Sequence, residues 1–252
     1  MNVGALKIGS TTLSYLVAED LDRPSIRETV VVHLIARPDA PAVLLKTVSD
    51  WLSAFNPRPD RLLMAGGQVF RENPEWARSL SLPVWELTGA EEGQVTRMAI
   101  LSSTRTDIGL LIDIGGGSTE ISDSRDSHSL PIGVHRPVLE ATRWPRLGSS
   151  DRAIVVGGAG HALAVLLHRE VMQPIFLSEL KRLRTIVAER GLAWLQAQGI
   201  SQDRLTLVVP GLDILYAICN HYHVKQLAWS NYGLLEGIWL AASLGRGRPW
   251  AL

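Results

Sequence analysis

The sequence predicts an α/β fold organised as two lobes of similar plan. Three observations carry that prediction. Strand-turn-strand units with Gly/Ser/Thr turns occur at Val3 to Ala18 and again at Leu110 to Ser122. Around them, short apolar runs alternate with segments whose apolar residues recur at helical spacing. The composition, 46% hydrophobic and 20% charged over 252 residues, supplies a sizeable core and excludes a disordered chain. A packed hinge is expected near Thr106, giving lobes 1–106 and 107–252 with a cleft between them as the default ligand site.

Each element follows from its own pattern. Val3 to Ile8 and Leu13 to Ala18 read as a hairpin broken at Gly9-Ser10-Thr11-Thr12. Val43, Leu44, Thr47, Val48, Trp51 and Leu52 fall at helical spacing within Ala42 to Phe55, and Pro57 and Pro59 end that helix. Leu62 to Ala65 before Gly66-Gly67, and Pro83 to Leu87, read as short buried strands. Leu110 to Ile114 is an apolar strand, Gly115 to Thr119 its turn, and Glu120 to Ser122 the return. Ala153 to Val156 reads as a strand, Gly157 to Gly160 as a glycine turn, and His161 to His168 as a helix. Ser178 is the expected N-cap of the next helix, with Glu179 in its first turn and Leu180, Leu183, Ile186 and Val187 as its buried stripe. Leu205 to Val209 is expected as a strand stopped by Pro210-Gly211, with a helix from Leu212 to Tyr222. Leu227 to Trp229 is a last short strand, and Leu234 to Leu244 a closing helix capped by Gly245.

Charge and cysteine content exclude whole classes of function. Lys+Arg and Asp+Glu are 25 each, with no long basic run, so a nucleic-acid partner is not expected. A single cysteine, Cys219, forbids an intramolecular disulfide or a Cys-based zinc site and fits a reducing compartment. No signal-like start or bilayer-length apolar segment is evident, so the expectation is a cytoplasmic protein without a membrane partner. The close histidines His221 and His223 are not on one helix face, and the eight tryptophans are scattered as packing residues.

The glycine turns are the candidate anion sites. At Gly115-Gly116-Gly117, residues without Cβ can take positive φ and converge backbone N–H groups into a nest, with Ser118 and Thr119 adding hydroxyls. The alternative is a tight hairpin with no ligand. Asp113 before the turn and Glu120 after it place two carboxylates beside a phosphate-sized nest, the parts that hold Mg²⁺ or orient a water. Gly157-Gly158-Ala159-Gly160 leads from strand to helix and either aims amides at an anion or allows close helix-strand packing. Gly9, Ser10 and Thr11 form a third such turn. Glu91 and Glu92, after Leu87-Thr88-Gly89, either project a general base or form an acidic helix N-terminus.

These motifs together resemble the exopolyphosphatase/guanosine-pentaphosphate phosphohydrolase (Ppx/GppA) family of the actin, hexokinase and Hsp70 superfold. Asp113 to Glu120 reproduces its most diagnostic motif, and Leu87 to Gly93 resembles the segment carrying its proposed catalytic glutamate, which matches Glu92. Ser129 to Gly133, Gly157 to Gly160, and Val209 to Leu212 through Glu236-Gly237 are similar to further family stretches. The resemblance implies two ribonuclease-H-like, actin-like ATPase lobes that bind a phosphate chain with Mg²⁺ in the cytoplasm, with a homodimer as a family expectation. Carried over, it makes Glu92 and Glu120 catalytic, Asp113 and Glu120 metal ligands, and Gly9, Ser10, Thr11, Gly115, Gly116, Gly117, Ser118, Thr119, Gly157, Gly158 and Gly160 phosphate-binding.

The chain departs from the pattern at several positions. Lys7 stands where the family has an acid, either as a cation for phosphate or as the mark of a lost metal site. Thr11, Ser14, Asn231, Leu235 and His161 replace other family residues, and Met64 to Val69 replaces a hydroxyl- and arginine-bearing segment. Fewer arginine clamps favour a short substrate over long polyphosphate. The implied activity is hydrolysis of a terminal phosphoanhydride of polyphosphate or guanosine pentaphosphate. The rivals are a silent phosphate or nucleotide sensor and a small-molecule kinase of the same superfold.

Overall fold

The computed structural model describes residues 1–54, 58–80, 83–104, 109–140 and 142–245. Phe55, Pro57 and the expected hinge at Thr106 lie outside the described residues.

The first unit is built on a five-stranded sheet. In chain order it contains β1 (Val3–Ile8), β2 (Thr12–Ala18), β3 (Ile26–Val31), α1 (Ala40–Ala54), β4 (Arg61–Gly66), α2 (Gln68–Glu72), α3 (Pro74–Ser79), β5 (Val84–Glu86) and α4 (Gly89–Thr104). The strand order is β3-β2-β1-β4-β5, with the hairpin β1–β2 antiparallel and β1–β4 parallel. Period-two alternation sets the faces of β1: Leu6 and Ile8 pack with Leu44, Val48 and Trp51 of α1, whereas Val3 and Ala5 face the opposite core.

The second unit is built on a six-stranded sheet. Its elements are β6 (Leu110–Ile114), β7 (Thr119–Ser122), β8 (Ser127–Leu130), β9 (Arg152–Val156), α5 (Gly157–Leu166), β10 (Pro174–Phe176), α6 (Leu177–Ala197), α7 (Leu205–His221) and β11 (Gln226–Trp229), in strand order β10-β11-β9-β6-β7-β8. Leu110, Ile112 and Ile114 of β6 face the core filled by α5, α6 and α7, while Leu111 packs with Ile100, Ile154 and Val156 on the other face. Among the described residues no helix is long and apolar enough to cross a membrane.

Four expectations are corrected by tertiary context. Leu205 to Val209 is not a strand. Leu205, Val208, Leu212, Leu215 and Cys219 form one buried stripe, so a single helix runs through Pro210, in whose second turn proline forfeits one intrahelical bond. Ser178 lies inside α6: the N-cap is Phe176, whose backbone N–H donates to Glu179 Oε2 at 2.9 Å. The glycines after β9 are themselves the first turn of α5.

The fourth correction concerns the boundary. The compact units are Met1–Ala99 with Leu234–Leu252, and Ile100–Gly233, so the closing helix α8 (Leu234–Ser243) does not belong with 107–252. Its buried stripe, Leu234, Leu235, Ile238 and Trp239, completes the first unit's second core. Trp239 Nε1 donates to the Val3 carbonyl at 3.0 Å, and Arg27 of β3 pairs with the buried Glu236 at 2.5 Å. A Cβ on Gly237 would stand 2.3 Å from the Val95 carbonyl, so only glycine lets α8 approach α4 this closely. Gly245, at φ +70°, ends the helix as expected.

Candidate active site

In the second unit, Asp113 of β6 and Glu120 of β7 are direct antiparallel partners, so their side chains leave the same face of the sheet. They are only 7% and 3% exposed. Ser129, opposite Glu120 on β8, donates its hydroxyl to Glu120 Oε1 at 2.7 Å. Asp113 Oδ1 lies against Gly157, where a Cβ would be 2.8 Å away, and Gly157 also has φ +71°; both facts require glycine. Two carboxylates on one face of adjacent strands can share a divalent cation. Magnesium is bound by one or two carboxylates completed by phosphate and water oxygens, and this pair fits that mode. Among the described residues no group of three or more His, Cys, Asp or Glu forms a larger metal cage.

The turn between these strands is stitched shut on one side. Gly115 N–H donates to the Ser118 carbonyl at 2.9 Å, and the Gly115 and Gly116 carbonyls accept from Val134 and His135 at 3.0 and 2.8 Å. Gly133 lies so close that a Cβ there would be 2.6 Å from Gly116 C, Gly116 O and Gly117 N. The amides of Gly116, Gly117 and Ser118, all in buried residues, donate to no other group among the described residues. Buried N–H groups left without acceptors are rare, and three in succession form a ready anion cradle.

The cradle differs from the expected nest. Among the described residues the positive-φ glycines are Gly109, Gly157, Gly191, Gly199 and Gly245, so Gly115 to Gly117 do not use left-handed backbone. Thr119 is not placed to contact a ligand either. It is fully buried, and its hydroxyl donates to the Ile132 carbonyl at 2.7 Å, which ties the Pro131 to Arg136 segment to the hairpin.

At the start of α5, Gly157 and Gly158 are exposed, while Gly160 serves packing: a Cβ there would be 2.8 Å from Trp229 Cδ1. Arg204, a residue the sequence gave no reason to select, brings Nη1 to 3.4 Å from the Cβ position of Gly158. Burial, and after it the Arg204 charge, lowers the pKa of the neighbouring His161 imidazole below its ordinary value.

In the first unit, Gly9 N–H closes the β1–β2 turn on the Thr12 carbonyl at 3.0 Å, with Ser10 buried. The Thr11 hydroxyl oxygen is buried without a hydrogen-bond partner among the described residues, an orphan that a bound anion or water would satisfy. Lys7 sits opposite Ser14 and runs its Cε to 3.7 Å from the Cβ position of Gly9, so the ammonium-bearing chain follows the turn. Ser14 is held by the Thr29 hydroxyl at 2.9 Å.

The two acids at the start of α4 separate into different roles. Glu91 Oε2 accepts from Thr88 N–H at 2.7 Å while Glu91 N–H donates to Thr88 Oγ1 at 3.2 Å, a reciprocal helix cap. Glu92 instead lays its carboxylate on the backbone of Gly67, where a Cβ would be 1.8 Å from Oε2. Arg71 of α2 pairs with that same oxygen at 3.3 Å and donates to the Leu87 carbonyl at 2.7 Å. Sequence reasoning missed Arg71; its signal is a cation one helical turn beyond a Gly-Gly pair.

The fold and site together define a two-unit α/β protein with an anion cradle and paired acids. Residues 75–139, which contain Glu92 and the whole Asp113 to Glu120 motif, match the Ppx/GppA phosphatase family. A solved Ppx/GppA family member from Aquifex aeolicus aligns with TM-score 0.79 and 18% identity, covering 97% of this chain and 98% of that one. A solved exopolyphosphatase from Cytophaga hutchinsonii aligns with TM-score 0.77 and 19% identity over 98% and 99% of the two chains. A Haemophilus influenzae protein named "Putative exopolyphosphatase" is 41% identical over 44 residues, which are 18% of this chain and 14% of that protein. The central segment thus matches the Ppx/GppA phosphatase family, and the fold is the one seen in solved proteins of that family.

Proposed function

We propose that this protein hydrolyses the terminal phosphoanhydride of a short phosphate chain, polyphosphate or guanosine pentaphosphate. The observation that carries the reading is the run of three unspent buried amides at Gly116, Gly117 and Ser118 beside the Asp113–Glu120 pair. The amides hold the terminal phosphoryl oxygens and stabilise the charge that develops on them in the transition state. Glu92 accepts a proton from water as its oxygen bonds to phosphorus; the bridging P–O bond breaks and the shortened chain leaves. Asp113 and Glu120 would hold Mg²⁺, which would neutralise phosphate charge. On the first unit, Lys7 and the Thr11 hydroxyl are themselves a cation and a donor suited to a phosphate group.

The test is phosphate release from tripolyphosphate, long polyphosphate and guanosine pentaphosphate, with MgCl₂ or EDTA, for wild type and Glu92→Gln. The expected result is metal-dependent release, faster on short chains, that Glu92→Gln lowers by about 100-fold or more, as loss of a general base does. A folded protein that binds these compounds without releasing phosphate is a sensor, and the hydrolase reading then falls.

A further inference from the structure

We propose that Arg71 is the positioning residue of Glu92, holding the carboxylate in the one orientation from which it can take a proton from the attacking water. The proposal rests on the assignment of Glu92 as the general base and adds what fixes it there. Glu92 Oε2 is trapped between two features. On one side is the bare backbone of Gly67, where any side-chain carbon would overlap the oxygen. On the other is the Arg71 guanidinium at 3.3 Å.

Arg71 is itself held in place. The same Nη1 that reaches Glu92 Oε2 donates to the Leu87 carbonyl at 2.7 Å, and the Arg71 backbone N–H donates to the Gly67 carbonyl at 3.2 Å. Leu87 N–H in turn donates to the Gly66 carbonyl at 2.9 Å. Arg71 therefore joins the residues after β4 through its backbone and the end of β5 and the first turn of α4 through its guanidinium. The partners are unequally exposed, the Arg71 side chain at 30% and Glu92 at 14%, so the acid is the more enclosed partner of the pair. One guanidinium nitrogen, Nη1, shared between a backbone carbonyl and the carboxylate ties the place of the charge to the end of β5.

The same arrangement accounts for the Gly66-Gly67 pair in a segment where the family has side chains. A Cβ on Gly66 would meet the Ile8 carbonyl and the Phe70 ring at 2.6 Å, and one on Gly67 would displace the Glu92 carboxylate.

The experiment is a double-mutant comparison of phosphate release from tripolyphosphate with MgCl₂, using wild type, Arg71→Met, Arg71→Lys, Glu92→Gln and the Arg71→Met/Glu92→Gln double variant. Arg71→Met is expected to lower kcat by about 10- to 100-fold with KM nearly unchanged, because a base displaced by an ångström loses rate rather than binding. Arg71→Lys should recover part of that loss. In the double variant, Arg71→Met should cost nothing beyond Glu92→Gln. A raised KM with kcat intact, or the same loss in the Glu92→Gln background, overturns the positioning role and makes Arg71 a phosphate clamp. Full activity in Glu92→Gln overturns the general-base assignment itself. A readout independent of turnover is the ¹⁵N spectrum of the arginine side chains: the Arg71 guanidinium signal should shift between wild type and Glu92→Gln while its Leu87 bond persists, and an unshifted signal refutes the pair.

Discussion

Gly67→Ala separates the placement of the Glu92 carboxylate from the stability of the fold. A Cβ at this position would lie 1.8 Å from Oε2 and 2.4 Å from Cδ of Glu92. To restore even a 3.0 Å contact the carboxylate must retreat by more than an ångström, and it is the free end of a flexible side chain, so rotation accommodates the methyl group. The φ of Gly67, −102°, is on the negative side that other residues adopt, so the variant should fold. Rate should suffer far more: a misplacement of this size costs about 100-fold in kcat. The assay pairs thermal denaturation with phosphate release from tripolyphosphate at saturating substrate. A folded Gly67→Ala protein with wild-type kcat would refute the argument that Glu92 works from its seat on Gly67, and loss of the fold would refute the claim that the clash is absorbed by the side chain.

Two further predictions concern the second unit. Thr119→Val keeps shape but leaves the buried Ile132 carbonyl without the hydroxyl that donates at 2.7 Å, so denaturant unfolding should show a loss of about 1–3 kcal/mol. KM for tripolyphosphate should stay unchanged; a raised KM at undiminished stability would return Thr119 to the phosphate site. Arg204→Gln removes the smaller of the two causes that hold the His161 pKa down, so its NMR titration should move up yet stay under 6.5. The sign for stability follows from the lowered pKa. Below 6.5 the unfolded chain binds a proton that the folded imidazole resists, so this contribution is complete above that pH and is lost as pH falls toward the folded value. Arg204→Gln should narrow that window, and an unmoved titration would refute the coupling.

The local patterns in this sequence reach as far as backbone periodicity and short-range motif chemistry reach. The alternation in Val3 to Ala18, the apolar run at Leu110 to Ile114 and the helical spacing around Leu44, Val48 and Trp51 each bury one face, and all three became the expected elements. Direct pairing of Asp113 with Glu120 follows from a four-residue turn between two strands, which is why the acid pair was legible from the motif alone. Other features depend on segments that meet only after folding. Leu205 to Val209 fits a strand or a helix, and burial of its stripe against the second unit's sheet selects the helix. The place of α8 depends on a core 236 residues away in sequence, where Trp239 reaches Val3. The reasons for Gly67, Gly133 and Gly157 are close approaches to Glu92, Gly116 and Asp113. Thr119 and Gly160 have the chemistry of phosphate ligands, and only the tertiary structure turns one toward Ile132 and the other toward Trp229. Sequence determines which groups are available and which way they alternate along the chain; which of them are left facing an empty acceptor position is decided by packing between distant segments.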